Sequence, residues 1–126
     1  FRLPNRHGLS SVLAGRVEVA EAITRIPGMI DLSVLPAGAV PPNPQELLCR
    51  PQFAELMAGL QAQHEVVIID TPAAGESADY QFVAAQSGGV LIVARRNVSL
   101  IRDLQSLVSS LQQGNVAVIG TALNNG

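Results

Sequence analysis

The sequence predicts an α/β fold, a mainly parallel sheet flanked by helices. Three observations carry this. Short runs rich in β-branched residues recur along the chain, at 66–69, 90–94 and 116–123. Segments with apolar residues at helical spacing separate them, so strands and helices alternate. The 66–69 run is continuously apolar rather than alternating, as suits a strand covered on both faces. The 126 residues have the size of one domain, and 48% are hydrophobic, enough to build a core. Aromatic residues are 3% and Trp is absent, so that core is built from Leu, Val, Ile and Ala.

In chain order, Gly8 to Gly15 carries a short helix signal, with Ser10 placed to cap it. Val17 to Arg25 reads as a second short helix, stopped by Pro27-Gly28. Leu32 to Leu35 reads as a short strand closed by Pro36 and Gly38. In VPPNPQELL, residues 40–48, Asn43 suits a helix N-cap and Pro44 the first helical position. Glu46 falls third, as a capping box prefers. From Pro51 to Gln63, the spacing of Phe53, Leu56, Met57 and Leu60 predicts a helix with one core face. Val66 to Ile69 predicts a buried strand ending in Asp70. Ser77 to Gln86 predicts a helix ended by Gly88-Gly89, and Val90 to Ala94 a further buried strand. The helix of 98–111 turns Leu100, Ile101, Leu104, Leu107, Val108 and Leu111 inward and stops at Gly114. Val116 to Leu123 is the last strand. No repeat, low-complexity tract or domain linker interrupts this order.

Composition excludes several functions. The net charge is −2 and the isoelectric point about 5.6, and no basic block is present, so nucleic acid is not an expected partner. The single cysteine, Cys49, rules out an internal disulfide or a multi-cysteine metal site. No apolar run approaches the roughly 20 residues that span a bilayer. Charged residues are 14%, against a typical value of roughly 25%. Large apolar faces, and self-association through them, are therefore expected.

Ligands of such sheets sit at the carboxyl ends of strands. These ends are Pro36–Gly38, Asp70–Pro72, Arg95–Asn97 and Asn124-Asn125. An aspartate closing a hydrophobic strand, as Asp70 does, holds Mg²⁺ through water or helps position the attacking group in nucleotide hydrolases. The same residues also read as an Asp-Thr-Pro turn in which Asp70 caps backbone N–H groups. The partner of such an aspartate is the loop G-x-x-x-x-G-K-[ST]. No stretch fits it, and the chain has no lysine: all eight basic residues are arginine. Arginine, bulkier and planar, does not replace that point charge.

NRHGLSSVLAGR (5–16), LSVLPAGAVPPNPQELLCRP (32–51), VVIIDTPAA (66–74), GGVLIVARRNVS (88–99) and VAVIGTALN (116–124) stand in the order and spacing of a known family. Together they resemble the bacterial tyrosine kinases of exopolysaccharide and capsule synthesis, more narrowly the chain-length-determinant kinases of the EpsG type. The resemblance covers nearly the whole chain. It implies the phosphate-loop nucleotide-hydrolase fold of the cell-division and chromosome-partitioning ATPases. Phe1-Arg2 matches the point just past the family's second catalytic motif. Residues 1–126 are thus expected to form one partial domain, its C-terminal part, without the phosphate loop and without the family's tyrosine-rich tail.

The resemblance implies that Asp70 is catalytic and a Mg²⁺-site residue in the complete domain, where Mg-ATP is the cofactor. No nucleotide is expected on this chain alone. Asp79, Arg95 and Asn124 are candidate nucleotide-binding residues. Their plainer readings are a charge at a helix N-terminus, a surface arginine and a turn-forming asparagine. Asn43 and Glu46 are read as helix-capping residues, Tyr80 as packed rather than phosphorylated, and His7, His64 and Cys49 as bystanders. The implied partner is a membrane polysaccharide co-polymerase or export protein. The implied place is the cytoplasm, at the inner face of the membrane. Two other readings are a non-catalytic interaction module of the same machinery and a fragment of a partitioning-type ATPase. Because the missing motifs are carried by strands adjacent to the Asp70 strand in that fold, the remaining strands are expected to leave gaps. Re-pairing, or cover by another chain, would then satisfy them.

Overall fold

A computed structural model describes residues 3–125. The correspondence proposed for Phe1-Arg2 therefore lies outside the described residues, as does Gly126. The chain divides into two compact units, residues 1–56 and 57–126.

The first unit opens with α1 (Leu9–Leu13) and α2 (Val19–Ala22), followed by β1 (Thr24–Arg25), β2 (Ser33–Val34) and α3 (Pro44–Leu48). α1 lies against α2 and α3, and Leu13 and Ala22 are buried. The helix expected over 17–25 is cut short, and its last two residues pair with the strand instead. Thr24 stands opposite Val34 and Arg25 opposite Ser33 in an antiparallel ribbon. Ile23 and Thr24 are β-branched and poor at holding a helix end. The turn at Pro27-Gly28 brings them back onto the strand predicted at Leu32–Leu35, with Gly28 and Asp31 both at positive φ.

The chain before α1 is clamped to the loop after β2. Asn5 accepts the Gly38 N–H at its Oδ1 (2.8 Å) and donates from Nδ2 to the Gly38 carbonyl (3.1 Å). Leu9 and Ser10 donate their backbone N–H to the carbonyls of Pro36 and Ala37, at 2.8 and 3.0 Å. The residue before α1 is Gly8, and Ser10 lies within the helix rather than capping it.

At α3, Pro44 takes the first position as expected, but Asn43 makes no side-chain bond to the helix backbone. It donates instead toward Glu46 at 3.5 Å, and Glu46 pairs with Arg50 at 2.6 Å. Arg50 thus outcompetes the backbone for the Glu46 carboxylate. α4 (Pro51–Gln63) has the expected bounds and crosses the boundary between the units. Phe53, Leu56 and Met57 are its buried residues, on one face.

The second unit holds α5 (Asp79–Gln86), β3 (Val90–Arg95), α6 (Ile101–Gln113) and β4 (Val118–Asn124). β3 and β4 pair in parallel, from Val90↔Val118 to Arg95↔Asn124. One register shift leaves Ile119 as the extra residue, because Leu91 pairs with Gly120. Ala84 of α5, Ile92 of β3 and Leu111 of α6 form a buried cluster. Tyr80, Leu104, Leu107, Val108, Val116 and Val118 pack against it. α6 ends at Gly114, as expected, but the left-handed residue is Asn115 (φ 56°).

Three expectations for this unit are corrected. Val66–Ile69 forms no strand and joins no ladder, and Val66 and Ile68 are 73% and 88% exposed. A buried strand needs hydrogen-bonded neighbours, and no described strand pairs with this segment. β3 is covered on one face only: Ile92 and Ala94 are buried, whereas Leu91 and Val93 are 55% and 65% exposed. Leu100 and Ile101, expected inside, are exposed, because the core contacts of α6 begin one turn later at Leu104.

Candidate functional site

Asp70 follows the apolar 66–69 run, which forms no strand, and is exposed. Thr71 and Pro72 follow, and the chain then turns through Ala73–Glu76, where the Glu76 N–H reaches the Ala73 carbonyl at 2.8 Å. The turn feeds directly into α5. Its first residue is Asp79, whose backbone N–H is accepted by Ser77 Oγ at 3.1 Å. The N-cap position of α5 is Ala78, which offers no side-chain cap, so Ser77 holds the start of the helix from one residue further out through an i→i+2 turn.

Asp79 carries an unusual feature. Its Oδ1 is buried and has no hydrogen-bond partner among the described residues. A buried carboxylate oxygen without a donor is costly, and such groups mark places where a water, an ion or a further protein group belongs. The helix N-terminus offsets part of that cost, since the negative charge sits at the positive end of the helix dipole.

Arg95 closes β3 and stands directly across the ladder from Asn124. The Arg96 N–H donates to the Asn124 carbonyl at 2.8 Å, tying the two strand ends together. The Arg95 N–H itself donates to Ser99 Oγ at 2.9 Å, and Asn97 (φ 60°) makes the reversal between them. Ser99, like Ser77, holds a candidate residue by its backbone and was not singled out from sequence.

The structure thus brings Arg95 and Asn124 together at the carboxyl end of the β3–β4 pair. Asp70 and Asp79 are joined by the short 70–79 connection. Among the described residues no ion pair links either aspartate to Arg95: the two present are Glu46–Arg50 and Arg102–Asp103. No group of three or more His, Cys, Asp or Glu side chains able to hold a metal occurs among the described residues. An open groove of about 470 Å³ beside α6, bordered by Ile92, Ile101, Leu104 and Thr121, contains none of the four candidates.

A test of fit to Mg-ATP follows from this donor set. Asp70 offers one exposed carboxylate, and no lysine is available for the β- and γ-phosphates. These residues suit one corner of a nucleotide site and do not complete one.

Glu46 is the acid whose titration is clearly displaced. The hydrogen bond and charge of Arg50, with a smaller share from Asn43, hold its carboxyl below the ordinary value of 4.5. It is exposed, and its pairing with Arg50 helps order the end of α3. Tyr80 packs against the core cluster, as expected. Cys49 is exposed and unpaired by disulfide.

No family model matches the chain. Individual proteins do. The tyrosine-protein kinase wzc of Salmonella typhimurium is 35% identical over 121 residues, 96% of this chain and 17% of that protein. A putative tyrosine-protein kinase EpsB of Ralstonia solanacearum is 34% identical over 126 residues, 98% of this chain and 16% of that protein. Among solved structures, the kinase domain of the Escherichia coli tyrosine kinase ETK superposes with a TM-score of 0.91 at 33% identity. It matches 98% of this chain, which covers 48% of that one. The VpsO kinase domain gives 0.89 at 26% identity, over 97% of this chain and 60% of that one. The chain therefore spans under a fifth of these full-length relatives and about half of their solved kinase domains.

Proposed function

The chain belongs to the bacterial tyrosine kinases as a segment of their phosphate-loop-type catalytic domain, and from that premise we propose that it is part of an ATP-dependent protein-tyrosine autokinase regulating exopolysaccharide chain length and export. The observation that carries this is the end-to-end match to tyrosine-protein kinases at about a third identity, with Asp70 closing the apolar 66–69 run as a magnesium-site aspartate would. In the complete domain Asp70 would hold Mg²⁺ through water, and the nucleotide would supply the transferred phosphoryl group. Asp79, with its unpartnered oxygen, would accept a hydrogen bond from a group beside the phosphates. Arg95 and Asn124 would contribute at the rim. The 126-residue chain by itself would not bind Mg-ATP.

No described helix is long and apolar enough to cross a membrane. A membrane polysaccharide co-polymerase or export protein is the partner this reading proposes, and the inner face of the cytoplasmic membrane the proposed place of action. The lysine-free composition favours a second reading, a non-catalytic interaction module of the same machinery.

A hybrid kinase separates the two. The matching segment of the Escherichia coli ETK kinase domain is replaced by residues 3–125 of this chain, and ATP-dependent tyrosine phosphorylation is followed with antibody and mass spectrometry. Catalysis in the hybrid, reduced at least roughly tenfold by Asp70→Asn, supports the kinase reading; weakened metal binding acts on that scale. A hybrid that melts cooperatively yet phosphorylates nothing would overturn it.

A further inference from the structure

We draw no further inference here: the strongest candidate, the exposed apolar face of the β3–β4 sheet around Leu91 and Val93, carries nothing, because nothing in the structure shows what covers it.

Discussion

Gly8 has no room for a side chain. A Cβ there would press on the Pro36 carbonyl and the Gly38 N–H, both backbone groups that cannot swing aside. The φ of −165° is ordinary extended backbone, so the demand is for space alone. Gly8→Ala should therefore destabilise the protein by about 1–3 kcal/mol, the scale of an overpacked site, read as a lowered midpoint in urea unfolding. Asn5→Ala should weaken the same clamp by removing both bonds to Gly38. Glu46 offers a second residue-scale test. Its folded-state pKa is depressed, so its contribution to stability is present above the unfolded value and fades as pH falls through the lower folded one. An NMR titration should place the Glu46 midpoint below 4.5, and Arg50→Ala should return it toward that value. The sequence marks Gly8 as a helix boundary and Asn5 as the start of a motif, but not their packing against Pro36–Gly38. Their roles depend on a loop 30 residues away, and no local pattern encodes that pairing.

Local signals served the helices best. α4 has the predicted bounds because Phe53, Leu56 and Met57 keep helical spacing and Pro51 fits a first turn. Within it Gly59 is exposed, and an added Cβ would meet nothing within 4 Å. Gly59→Ala should thus stabilise by about 0.5–1 kcal/mol, through helix propensity alone. α6 makes the contrast between its two ends measurable. Leu111 is 3% exposed and anchors the cluster with Ala84 and Ile92, so Leu111→Ala should cost about 2–5 kcal/mol. Ile101 is 74% exposed, and Ile101→Ser should stay within about 0.5 kcal/mol. Thermal unfolding of the three variants checks these values. Strands were less legible. β-branched composition marks a segment that can pair, as at Thr24-Arg25 and Val66–Ile69, but whether it does depends on a neighbour elsewhere. Thr24 and Arg25 found one in Ser33-Val34, against the helical reading. Val66–Ile69 joins no ladder among the described residues.

At the scale of the whole molecule, low charge and exposed aliphatic side chains belong together. A chain with 14% charged residues has little polar surface with which to cover Val66, Ile68, Leu91, Val93 and Ile119, all more than half exposed. Patches of this kind associate or await cover, which is the basis of the self-association expected from composition. The placement of the candidate residues was legible in part: Asp79 starts α5, and Arg95 and Asn124 end β3 and β4, as the sequence pattern put them, whereas the strand predicted ahead of Asp70 does not form. Their mutual geometry was not, because it rests on the β3–β4 register and on the bonds that Ser77 and Ser99 accept from the Asp79 and Arg95 N–H groups. The proposed reading makes Asp70 the aspartate of a kinase site that this chain by itself does not complete. Isothermal titration of the 126-residue protein with Mg-ATP tests it most directly. The account predicts no binding heat at ligand concentrations up to about 1 mM, where even affinities near −4 kcal/mol would register. Micromolar binding that Asp70→Ala abolishes would contradict it.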